Sequence, residues 1–94
     1  MNINDGDTER ALRAEVRGFL REALPAALRA KVLAHEPLAK ADYVAWQNIL
    51  NARGWLAPGW PVERGGTGWT PRQIYVFEEE CWLAGAPEVF AFGP

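Results

Sequence analysis

Hydrophobic positions in the first third of the chain recur with a helical period. Leu12, Val16, Phe19, Leu20 and Leu24 fall at i, i+4, i+7, i+8 and i+12, one face of a helix of about 3.6 residues per turn. Asp7 or Thr8 stands ahead of them with a side chain suited to an N-cap, so the pattern predicts an amphipathic helix over residues 8–24. Pro25 has no N–H to donate and disfavours helical backbone at the residue before it, yet it suits the first turn of a new helix. A short second helix is expected over 25–34, carrying Leu28 and Val32. His35, Glu36 and Pro37 then read as a connector. Tyr43, Trp46, Ile49 and Leu50 share the face of a third helix over 41–53, which Gly54 stops; Ala39 and Lys40 are weak caps for its start. Thr70, Pro71 and Gln73 supply an N-cap, a proline at the first helical position and the reciprocal partner of a capping box. The last helix is therefore expected over 71–84, with Ile74, Phe77, Cys81 and Ala84 inward, closed by Gly85 and Pro87. Residues 85–94 form an apolar tail. No convincing period-2 alternation and no internal repeat interrupts this picture, so the expected class is all-α, three to four helices with one long loop.

That loop, GWLAPGWPVERGGTGW over 54–69, is longer than most connections in a small domain, which points to a docked or functional segment. Gly54, Gly59, Gly65, Gly66 and Gly68 permit positive φ and close backbone approach, while Pro58 and Pro61 stiffen the chain. Trp55, Trp60 and Trp69 are expected to anchor it on the helices; a ligand-stacking aromatic patch for glycans or other rings is the competing use.

Composition narrows the function classes. Ninety-four residues make one small domain, and a net charge of −2 offers no global attraction to nucleic acid or anionic membranes. A single Cys and a single His leave no internal disulfide and none of the usual zinc spacings, so no metal is expected. The polar, acidic N-terminal stretch lacks the features of a secretory signal, and no apolar run approaches the roughly 18–20 residues of a membrane span. A cytoplasmic setting is the expectation.

The candidate chemistry is thin. Gly65-Gly66-Thr67-Gly68 runs into a helix N-terminus, but it lacks the preceding strand and the Lys-Ser/Thr pair of a P-loop, so a turn is the expected use. Arg10, Arg13, Arg17 and Arg21 form a basic stripe whose neighbours at i,i+4 repel, which calls for acids: Glu9 in the same helix, or the run Glu78, Glu79 and Glu80 in the last one. A solvated stripe is the expected reading. Consecutive glutamates spread around a helix at about 100° intervals, so Glu78–Glu80 form no converging dyad and are expected on its exposed surface. Cys81 on the apolar face reads as a buried inert thiol, and His35 has no visible partner.

The order of the elements carries more than any one of them. RAEVRGFLREALPAALRAKV, followed by DYVAWQNILNARGWLAPGWPVERGGTGWTPRQIYVFEEECWLAGAP, resembles the N-terminal helical domain of the acyl-CoA dehydrogenase family over nearly the whole chain. The most specific part is GWPVERGGTGWT, then a helix bearing FEEE, then AGAP. The resemblance implies a partial N-terminal domain of an enzyme that uses FAD to dehydrogenate an acyl-CoA thioester, passing electrons to an electron-transfer flavoprotein or related acceptor. It implies that the middle domain, the flavin-binding segments and the catalytic carboxylate lie beyond this chain. No glutamate here is assigned that role, and no cofactor is expected on this chain alone. By position after AGAP, Phe90, Phe92 and Gly93 are the candidates to shape the closed end of the acyl pocket. The chain is expected to be inactive alone and to work within a homo-oligomer or in association with other chains. The alternative is a standalone helical interaction module that binds a partner through its apolar face and tail.

Overall fold

The computed structural model describes residues 3–88, which form four α-helices: α1 (Ile3–Ala23), α2 (Ala26–Leu33), α3 (Lys40–Arg53) and α4 (Pro71–Ala84), with a single 3-10 turn at Val62–Arg64. Among the described residues there is no strand, and the class is all-α. The expected tail residues Phe90, Phe92 and Gly93 lie outside the described residues.

Helix α1 begins five residues before its expected start at residue 8. Asp7 and Thr8 sit inside the helix, and the Asp7 carboxylate accepts a hydrogen bond from Arg10 one turn on instead of capping the backbone. The apolar stripe is where the periodicity puts it: Leu12, Val16, Leu20 and Leu24 are buried and Phe19 packs against them. Pro25 caps α2 in extended backbone, and α2 adds Leu28 to the core. At the end of α2, His35 adopts positive φ and the Glu36 N–H donates to the Lys31 carbonyl, closing the helix.

The weakly capped start of α3 is completed by Asp42. Its carboxylate accepts from the Ala39 N–H at 3.0 Å and pairs with Lys31 at 3.1 Å, which joins α3 to α2. Both contacts hold the Asp42 carboxyl below the usual carboxylate range, the Ala39 amide more than the lysine. Trp46 and Leu50 then enter the core. Gly54 takes the left-handed conformation at the end of α3, and the Trp55 N–H donates to the Leu50 carbonyl, turning the indole back over the helix. Arg53 stacks its guanidinium 4.0 Å from the centre of the Trp55 ring and pairs with Glu15 of α1.

The long loop is built around Trp55 and Trp69. Trp55 is buried and meets Phe19 edge-on at 5.0 Å and Phe77 edge-on at 5.6 Å; Trp69 lies 5.4 Å from Trp55 and 5.5 Å from Phe77. Trp60, expected as a third anchor, is half exposed instead. Its backbone holds the loop together: a Cβ at Gly66 would sit 1.6 Å from the Trp60 carbonyl oxygen, so only glycine lets these two segments of the loop approach. Thr67 staples the same turn, its Oγ1 donating to the Pro58 carbonyl and accepting from the Trp69 N–H.

Thr70 and Gln73 form the capping box that starts α4, with Gln73 N–H to Thr70 Oγ1 at 3.1 Å and Thr70 N–H to Gln73 Oε1 at 2.9 Å. The inward face of α4 is broader than the expected one. Val76 is fully buried beside Phe77, and Glu80 is only 4% exposed, whereas Ile74 and Cys81 are half-buried. The expectation that Glu78–Glu80 lie on exposed surface therefore fails at Glu80, because α4 packs its Val76–Glu80 side directly onto α1.

Candidate functional site

Helix α4 has two working sides. Toward α1 it presents Arg72, Glu79 and Glu80, and these interleave with Glu9, Arg13 and Arg17 of α1. Arg17 grips Glu80 with both ends of its guanidinium, Nε to Oε1 at 2.8 Å and Nη2 to Oε2 at 3.1 Å, while Arg13 reaches Oε2 at 2.7 Å. Arg13 also pairs with Glu79 at 2.8 Å and with Glu9, and Glu9 accepts two hydrogen bonds from Arg72. The stripe expected as a solvated face is, at Arg13 and Arg17, half of an ion-pair ladder. The repulsion between those two arginines is what the ladder relieves. Arg17 and then Arg13 hold the Glu80 carboxyl below the usual range against the opposing effect of burial, and Arg72 and Arg13 do the same to Glu9.

On its other side α4 walls a groove of about 570 Å³. Trp46 and Leu50 of α3 form its floor with Phe77, Leu56 and Pro58 bring in the start of the long loop, and Cys81 and Trp82 form the α4 wall. Ala86, Pro87 and Glu88, the last described residues, also line it. The lining is chiefly hydrocarbon and aromatic ring. Such a surface takes an apolar chain or ring by burial and offers few polar groups to read one.

The groove holds no activated nucleophile among its described residues. Burial, with Glu78 and Glu80 nearby, pushes the Cys81 thiol up to about 12, so it is a protonated packing group at neutral pH. Glu78 stands at the rim, exposed. Among the described residues no buried side-chain polar atom lacks a partner, and no group of His, Cys, Asp and Glu could hold a metal ion. The Gly65–Gly68 turn closes on its own chain at Gly66, against the Trp60 carbonyl. No helix among the described residues is long and apolar enough to cross a membrane.

The predicted residues Phe90, Phe92 and Gly93 cannot be placed against the groove, because they lie outside the described residues. The groove walls themselves were missed as a site by sequence reading. Trp46, Phe77 and Cys81 were legible only as core positions, and their periodicity carries no sign that the core opens beside them.

Comparison with known proteins agrees with the order of elements. The family model described as "Acyl-CoA dehydrogenase, N-terminal domain" matches residues 6–93. The chain is similar to the acyl-CoA dehydrogenase FadE26 of Mycobacterium tuberculosis, with 49% identity over 37 residues, a stretch covering 39% of this chain and 9% of that protein. No solved structure matches. With four helices in this order, a Trp-anchored loop and a match spanning almost all its residues, the chain belongs to the acyl-CoA dehydrogenase family and carries its N-terminal domain.

Proposed function

We propose that this chain supplies a wall of the acyl-substrate pocket of an FAD-dependent acyl-CoA dehydrogenase. The observation that carries the reading is the chiefly apolar groove whose lining includes Ala86, Pro87 and Glu88. By their position in the sequence after AGAP, Phe90, Phe92 and Gly93 are the candidates to shape the closed end of the acyl pocket. Apolar burial is the whole of the chain's contribution: it orients the acyl chain and excludes water from it. The α-proton and hydride transfers, the flavin and the hand-off to an electron-transfer flavoprotein or related acceptor belong to other parts of the enzyme. The setting is the cytoplasm, with the assembly a homo-oligomer or a complex with other chains. Alone, the 94 residues are inactive and carry no flavin.

The test uses the lone cysteine in the groove. Saturated acyl-CoA thioesters of increasing length are added to the chain, and alkylation of Cys81 by N-ethylmaleimide is followed. Protection that strengthens with chain length and weakens in the double variant Phe90→Ala, Phe92→Ala is the expected result. Equal labelling at every acyl length would remove the groove from the substrate path, and stoichiometric flavin absorbance on the purified chain would overturn its inactivity.

A second reading, association with another chain through the apolar face and tail, is favoured by one observation. Trp82, Leu83 and Leu33 are exposed near the C-terminal end of α4. Under that reading, removal of residues 88–94 abolishes association in sedimentation; unchanged association after trimming would count against it.

A further inference from the structure

We propose that Glu80 is a positioning residue for the groove: its ion pairs with Arg13 and Arg17 of α1 set the seating of α4, and with it the distance between the α4 wall and α3. Glu80 and the groove residues stand on one rigid helix. Glu78 and Trp82, each two residues from Glu80, lie about 200° around it, and both line the groove. Any roll or retreat of α4 from α1 is therefore a movement of the groove wall.

The geometry gives Glu80 this control for an electrostatic reason. Arg13 and Arg17 lie one turn apart on the same face of α1, and Glu80 is the carboxylate they share, at 2.7 Å from Arg13 and 2.8 Å from Arg17. Its side chain is buried between the helices, so the pairing is less screened than one on the surface. With that charge removed, Arg13 keeps Glu9 and Glu79, but Arg17 has no other carboxylate partner among the described residues. Arg17 would then lie unpaired in the seam beside the cations Arg13 and Arg72, and its need for water, together with their repulsion, would loosen the α1–α4 contact. Glu80→Gln removes the charge at nearly constant volume, which separates this effect from a packing loss.

Cys81 reports on the groove without any ligand, since it is the only cysteine in the chain and half-buried in the α4 wall. The experiment measures N-ethylmaleimide labelling of the full 94-residue chain across a range of pH in native buffer, for the wild type, Glu80→Gln and Val16→Ala, and compares rates per thiolate, because the Glu80 charge itself raises the adjacent Cys81 thiol. Val16 is buried under the ion pairs and is not a groove residue; its truncation loosens the same α1–α4 seam without removing a charge, so it is the reference for a packing loss there. Temperature is set for each variant at the same interval below its own melting point, so that global unfolding contributes equally.

Per-thiolate labelling of Glu80→Gln at least tenfold faster than that of Val16→Ala is expected, with the excess falling as salt rises to about 1 M, where the screening length is near 3 Å and the uncompensated Arg17 charge is screened from Arg13 and Arg72. Equal rates for the two variants would reduce Glu80 to a general stabiliser and overturn the proposal. A fast rate indifferent to salt would also overturn it, since charge would not be the cause. The functional meaning of the control rests on the groove's being an acyl wall, but its test does not. Failure of acyl-CoA protection would leave the ligand-free labelling result intact, and failure of the labelling result would leave acyl protection intact.

Discussion

The two sides of α4 are fastened by different physics. Against α1 the contact is a ladder of six charged side chains over Val16 and Val76; on the loop side it is aromatic, with Phe77 meeting Trp55 and Trp69. Charge pairs are directional and require particular atoms to meet. The aromatic cluster gains mostly by area, and its tilted and edge-on rings tolerate small shifts. One helix thus has a side that fixes its seating and a side that can carry a ligand surface. A groove needs both: apolar walls give it a content, and a directional contact elsewhere keeps the walls apart.

The comparison can be broken most severely from the aromatic side. Trp55→Ala removes the ring that touches Phe19, Trp69 and Phe77, and it should cost about 3–5 kcal/mol, a large share of a small domain's stability. Urea unfolding measures it, and a loss below about 1 kcal/mol would mean that the loop is held by its backbone turns alone.

A smaller effect sharpens the charged side. Glu80, Glu9 and Asp42 all have carboxyls held below their ordinary range in the folded chain. A lowered folded pKa means that the stabilisation is complete above the unfolded carboxyl value, about 4.3, and is lost as pH falls through the folded values. Melting temperatures should therefore hold steady from neutral pH to about 5 and drop steeply below about 4. The Glu80 contribution, discounted for the exposure of Arg17, is about 1–2 kcal/mol at neutral pH. Glu80→Gln should flatten the acid limb; a variant as acid-sensitive as the wild type would show that the seam contributes nothing to it.

The smallest expected change touches both sides equally. Thr70→Ala deletes the cap that starts α4 and should cost about 1 kcal/mol, with no preferential effect on Cys81 labelling at a matched interval below melting. A groove that loosened as much as in Glu80→Gln would transfer control from the ion pairs to the helix end.

How much of this was legible varies with the range of the interaction. The stripe on α1, the break at Pro25, the stop at Gly54 and the box at Thr70 and Gln73 are local, each written within a few neighbouring residues. Asp42 was also within reach, since an acid three residues past a cap is part of the same box, but the weak cap at Ala39 drew the reading away from it. Glu80 was not. In the sequence it is the last of three consecutive glutamates, and only its partners, 63 and 67 residues away, distinguish it from Glu78. Trp60 failed as an anchor for the opposite reason, because its backbone does the packing and leaves its ring outside.

By itself, then, the sequence determined an all-α domain, the approximate extents of its helices and, through the order of its motifs, the family to which it belongs. Helical period, capping and glycine stops act over one or two turns, so a single chain read in order contains them. The tertiary structure decided which of the glutamates is buried, which tryptophans hold the loop, and that the core opens into a groove beside Cys81. Those outcomes depend on the seating of α4 against α1 and α3, a balance of burial and charge between residues far apart in the chain. No local pattern records it.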